Sequence, residues 1–101
     1  MSNQPLLLPA VEQAALVRSG EASARELVEE SLRAIVELND EVNAFVTTVA
    51  ERALEEADGV KAGDERPLAG VPIAVKDLIA LTAGIRTTQG SEATGDWVPE
   101  T

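Results

Sequence analysis

An α/β fold, with helices leading and strands following, is what this sequence predicts. Three observations carry that expectation. Three segments between Pro9 and Gly59 repeat apolar residues at helical spacing. Two short segments, "AFVTTV" at 44–49 and "VPIAV" at 71–75, are rich in branched residues of the kind that suit strands. The composition also shifts: residues 68–101 hold most of the Gly and Thr but only four of the 18 acidic residues. The domain therefore divides into a helical part at 1–66 and a strand-and-loop part at 67–101.

The first helix is short. "PAVEQAALVRSG" places Pro9 near the first helical position, where its missing N–H costs nothing, and Gly20 as the stop. The second is the clearest. Ser23 followed by Glu26 forms a capping box, in which two side chains satisfy otherwise orphaned amides. Leu27, Val28, Leu32, Ile35 and Leu38 then share one face, with Arg25, Glu29, Glu30, Arg33 and Glu37 on the other. Asn39 and Asp40 are read as its end. The segment 44–49 is expected to be extended. A third helix follows, with Ala50, Ala53, Leu54 and Ala57 on one side, and Gly59 weakens its last turn.

After the polar, turn-like "KAGDERP", Val71, Ile73 and Val75 alternate with Pro72, Ala74 and Lys76. A strand on this pattern projects Lys76 away from the branched face. Pro72 suits the start of a strand or an edge, because it cannot donate to a ladder. Beyond it, Gly84, Gly90 and Gly95 interrupt any regular element. The chain reaches "VPET" with no closing helix, so the 101 residues are read as the N-terminal part of one larger domain. One Trp, one Phe and no Tyr support the same expectation, because large aromatic side chains contribute most burial per residue.

Composition excludes several functions. A net charge of −10 argues against nucleic-acid binding and against docking on an anionic membrane. Without Cys or His there is no thiolate chemistry, no disulfide framework and no usual zinc constellation. The start, "MSNQPLLLPA", has no basic n-region and too short an apolar run for a signal peptide or membrane span, so a cytoplasmic location is expected.

The remaining chemistry rests on Ser, Thr or a carboxylate as nucleophile, with Lys or a carboxylate as base. Only two lysines exist. Lys61 lies among Gly, Asp, Glu and Arg and reads as a solvated charge. Lys76 lies beside Val75 and Leu78. A lysine amine serves as a base near neutral pH only where its surroundings disfavour the ammonium form. On composition alone, a lysine leaving a strand into water is the simpler account. Ser91 sits in "QGSEATG" with no G-x-S-x-G elbow, and turn chemistry explains it. No G-K-[ST] follows the glycines, so they make no phosphate loop. Asp58, Asp64 and Glu65 lack EF-hand spacing and read as a polar loop. Trp97 reads as a packing residue.

"PLAGVPIAVKDLI", followed by "AGIRTTQGS" and "VPET", closely resembles the amidase signature family, and "ELVEESLRAIVELNDEVNAFVTT" is similar to that family's N-terminal helix pair and first strand. The resemblance implies a large α/β/α sandwich around a mixed sheet, of which this chain holds the first helices and strands. It also implies a carboxamide hydrolase with a Ser–cis-Ser–Lys triad, in which Lys76 is the catalytic lysine at the end of a buried strand. The two serines and the oxyanion-hole amides belong to a downstream Gly/Ser-rich segment with no counterpart in these 101 residues. No metal or organic cofactor is implied. The expected partner is a small-molecule amide, and the amphipathic N-terminal helices suit pairing of two copies.

Two departures from the family pattern stand out. "DLIALTAG" runs one residue longer after the lysine, and Leu78 stands where the amidase component of a tRNA-dependent amidotransferase is expected to carry Asn. That component is the first alternative to an independent amidase. A noncatalytic helical interaction fragment is the second.

Overall fold

The computed structural model describes residues 4–77 and 81–100. Their regular elements are helical. A 3₁₀ turn at Gln4–Leu7 precedes α1 (Ala10–Ser19), α2 (Ala24–Val42) and α3 (Ala50–Asp58), and a second 3₁₀ turn covers Glu92–Thr94. The described residues form two compact units. One holds those up to Ala44 together with Ala50–Pro72, and the other Phe45–Val49 with those from Ile73 onward.

The helical unit follows from its end signals. Pro9 precedes α1, and Gly20 closes it with φ 83°, a left-handed conformation that glycine adopts without a Cβ penalty. Its amide donates to Val17 O. Three residues on, the Ser23 hydroxyl accepts the Glu26 amide at 3.0 Å, so Ser23 caps α2 as its sequence requires. α2 packs against α3, and the first 3₁₀ turn packs against α2. The core is small: Val17, Ala24, Leu27 and Ala57 are buried, with Val28 and Val60 packed on them. Leu27, at 0 % exposure, is the one large side chain fully enclosed among the described residues.

Close approach explains Gly70. A Cβ there would lie 2.9 Å from both methyls of Val17 and 3.1 Å from Ala24 Cβ, and its φ is +85°. Only glycine lets the chain pass this near the core in that conformation. The loop before it is tied down locally. Gly63 N donates to Arg18 O at 2.9 Å, and Asp64 holds Arg66 through a two-pronged contact, Nε to Oδ1 at 3.1 Å and Nη2 to Oδ2 at 2.8 Å. Those bonds, with the Arg66 amide, hold the Asp64 carboxyl down at about 2. Arg25 links α2 to α3 by bonding Asp58 at 2.8 Å while also pairing with Glu29.

Four expectations need correction. Among the described residues there is no strand: neither 44–49 nor 71–77 joins a ladder, so the expected first strands, and with them the α/β class, are not borne out here. A strand is defined by its neighbour, and an alternating pattern cannot supply one. α2 does not stop at Asn39 and Asp40 but continues to Val42, where Asn43 takes φ 50° and its amide bonds Asn39 O at 2.6 Å. Exposed polar residues do not end a helix; the left-handed Asn does. Glu30 is not on the solvent face. It is 4 % exposed and pairs with Arg33, since it falls one turn beyond Leu27 on the same stripe. Leu38 lies half exposed, so the apolar face of α2 is covered only over its first turns.

Candidate functional site

The second unit carries the lysine. The alternating segment that leads into it is not buried: Val71 and Pro72 are half-buried, Ile73 is 82 % exposed and Val75 56 %. Lys76 itself is exposed. The opposite-face geometry expected of a strand therefore does not hide either face among the described residues. Leu78, Ile79 and Ala80 lie outside the described residues.

Asp77, immediately after the lysine, is held firmly. Its Oδ1 accepts the Thr88 amide at 2.9 Å and its Oδ2 accepts the Thr88 hydroxyl. The Gln89 amide donates to it as well. These bonds hold the Asp77 carboxyl below the ordinary carboxylate range, led by the Thr88 hydroxyl and amide. Partial desolvation opposes them, and the charge of Arg86 adds a smaller favourable contribution.

Thr88 is fixed on every side. It is 6 % exposed. Its hydroxyl oxygen also accepts the Gly90 amide at 3.3 Å, and its carbonyl accepts the Ser91 amide and the Thr94 hydroxyl, each at 3.0 Å. Between Thr88 and Ser91 the two central residues, Gln89 and Gly90, have φ 54° and 73°. Two successive positive φ values with a closing 3.0 Å hydrogen bond are the mark of a type I′ turn. Around it, Gly84 N donates to Pro99 O and Thr87 N to Trp97 O, both at 3.0 Å, while Arg86 Nε bonds Gly95 O at 3.1 Å. Loop residues 84–99 thus form a cross-tied hairpin-like frame.

The other sequence-derived candidates resolve into local structure. Ser91 caps the 3₁₀ turn at Glu92–Thr94 by accepting the Ala93 amide at 3.1 Å. Lys61 donates to Asp58 O at 2.7 Å, a cation at the end of α3. Asp58 and Asp64 are each engaged by an arginine, and among the described residues no cluster of acidic groups could hold a metal ion. Trp97 is 45 % exposed. Sequence reasoning missed Asp77 as an anchor. The available signal was an Asp directly after the lysine and a Thr opening a Gly-containing turn, which is weak without the fold.

The Lys76–Asp77 segment and the Thr88 turn that holds it fall inside one match. The family model described as Amidase covers residues 26–101. The chain belongs to the amidase family. Among curated proteins, this amidase-family chain is similar to the A subunit of glutamyl-tRNA(Gln) amidotransferase from Chromohalobacter salexigens, 41 % identical over 86 % of the chain and 18 % of the relative. Its counterpart from Salinispora tropica is 44 % identical over 89 % of the chain and 19 % of the relative. That from Lacticaseibacillus casei is 43 % identical over 82 % and 18 %. The chain thus spans under a fifth of the length of these relatives. No solved structure matches it. Among its described residues, no helix is long and apolar enough to cross a membrane.

Proposed function

We propose that this amidase-family chain is the lysine-bearing part of a hydrolase that cleaves a carboxamide C–N bond through a serine acyl-enzyme, with Lys76 as the base. The observation that carries the reading is the family match running through Lys76, in a chain whose other lysine, Lys61, is engaged at the end of α3. In this chemistry a serine oxygen bonds the carbonyl carbon while its proton passes, through the bridging serine, to the neutral amine of Lys76. The resulting ammonium returns a proton to the departing nitrogen, the C–N bond breaks, and water then releases the acid. Both serines would come from a Gly/Ser-rich segment outside these 101 residues, so the chain alone is expected to be inactive.

For the substrate, the relatives favour glutamine. All three belong to a glutamyl-tRNA(Gln) amidotransferase, which supports release of ammonia from a glutamine side chain within a complex of several polypeptides. The acidic chain itself offers no basic footprint for tRNA, so any nucleic-acid contact in such a complex would fall elsewhere. An independent amidase acting on small amides is the second reading, favoured by Leu78 after the Lys-Asp pair. The test is ammonia release from glutamine and from simple aliphatic and aromatic amides. It uses protein in which this segment is continuous with the serine segment, as wild type and as Lys76→Met. A loss of about 10²–10⁴-fold in the variant is expected for a missing general base. Undiminished hydrolysis would overturn the role of Lys76. The ratio between glutamine and simple amides decides between the two substrates.

A further inference from the structure

We propose that Asp77 is the positioning residue for Lys76, and that the Thr88 turn exists to hold it. This rests on the reading of Lys76 as base. A lysine side chain has a long, freely rotating stem, and a base must be held to within about 0.5 Å of its productive position. The direction of the stem starts from the backbone at 76. Among the described residues, no backbone hydrogen bond joins 73–77 to anything else, and the carboxylate of Asp77 supplies the attachment.

That attachment has the features of a built anchor. It spans 11 residues of sequence. It engages the amide and the hydroxyl of a buried threonine, and the amide of the next residue. The threonine is in turn immobilised through its hydroxyl oxygen by Gly90 and through its carbonyl by Ser91 and Thr94. The turn also places a non-glycine residue in the left-handed region, at Gln89, to aim these donors. Charge contributes as well. An ionised carboxylate accepts from several N–H and O–H donors at once, which an amide in its place cannot do equally. Asp77 touches no reacting atom in this account; it acts through the residue before it.

The test uses Asp77→Asn, Thr88→Val and Thr88→Ser in the same serine-containing protein, beside Lys76→Met. Asp77→Asn and Thr88→Val are expected to lower kcat by about 10–100-fold, the usual cost of losing a supporting hydrogen bond behind a functional group, with KM changed less than about 2-fold. Thr88→Ser keeps the hydroxyl and both amides and should restore most of kcat. Thermal melting should stay close to wild type, since a structural role alone would move it without splitting kcat from KM. In ¹⁵N-labelled 101-residue chain, Asp77→Asn should shift the Thr88 and Gln89 amides and raise fast motion at the Lys76 and Asp77 amides.

The outcomes separate. If Lys76→Met abolishes hydrolysis while Asp77→Asn and Thr88→Val keep wild-type kcat, the positioning role is overturned and the base stands. If Lys76→Met retains hydrolysis, the base reading falls, whatever the amide spectra report of the anchor. If Thr88→Ser fails as badly as Thr88→Val, the hydroxyl is not what positions the segment and the proposal is overturned.

Discussion

The helical unit and the lysine-bearing unit are held by different forces. In the first, apolar burial dominates: Val17, Ala24 and Leu27 are enclosed, and the helix ends are closed by Ser23, Gly20 and Asn43. In the second, the buried described residues are Thr87, Thr88 and Pro99, and order comes from a web of backbone and threonine hydrogen bonds around a carboxylate. Ile73 and Val75, the branched residues of its strand-patterned segment, stay largely exposed. The difference teaches where a short stretch of chain is self-sufficient. Helices satisfy their backbone locally and need only one covered stripe. A segment patterned as a strand needs a neighbour, and until it has one it is organised only where side chains reach across a turn.

The sharpest way to break the comparison is Leu27→Ala. It removes the one large enclosed side chain and should cost the helical unit about 3 kcal/mol, read as loss of helical circular dichroism on denaturant titration. A variant as stable as wild type would show that the helices do not depend on that core. Next comes Gly70→Ala. The new methyl collides with Val17 and the residue is forced to keep a positive φ, so about 2 kcal/mol should be lost. Ser23→Ala is smaller. Losing the cap bond to the Glu26 amide should cost ~1 kcal/mol and fray the first turn of α2, seen as weakened protection of the Glu26 amide in hydrogen exchange.

The smallest effect on global stability, and the most selective for the second unit, is acidification. Asp77 titrates below its ordinary range when folded, so its contribution is present above the unfolded value and is lost as pH falls through the lowered one. The Thr88 and Gln89 amides should shift and lose protection over that interval, below about pH 4. Asp64 behaves alike in the helical unit, with its pairing to Arg66 released as pH falls from about 4 to about 2. Thr88 and Gln89 amides that keep their shifts and protection in Asp77→Asn would mean that neutral hydrogen bonds suffice and the charge of Asp77 is incidental.

Much of the helical unit was legible because its signals are local. Ser23, three residues before Glu26, and Gly20 after a short apolar repeat state their roles within one turn of chain. Glu30 was misplaced because a glutamate is assumed to face water, although its position three residues after Leu27 puts it at the edge of the buried stripe. α2 ran past Asn39 and Asp40 because an exposed polar pair carries no stop; the stop was Asn43, whose left-handed conformation appears only in the backbone. Within the candidate site, Lys76 was singled out by resemblance alone, and the burial expected of it is not provided by this chain. The Asp77–Thr88 anchor depends on a contact across 11 residues and a turn with two positive φ values, and no periodicity announces either.

The backbone at 72–76 has a consequence of another kind. Proteases grip their substrates as extended chain, by pairing with main-chain N–H and C=O groups that are not already engaged. Residues 73–76 are exposed and carry no ladder among the described residues, and Lys76 offers trypsin its preferred side chain. Cutting after Lys76 therefore works as a clock for cover. With Asp77 still anchored on the far side of the cut bond, it should run at a measurable rate in the 101-residue chain and slow down once any neighbour, from the same polypeptide or another, lies across this segment.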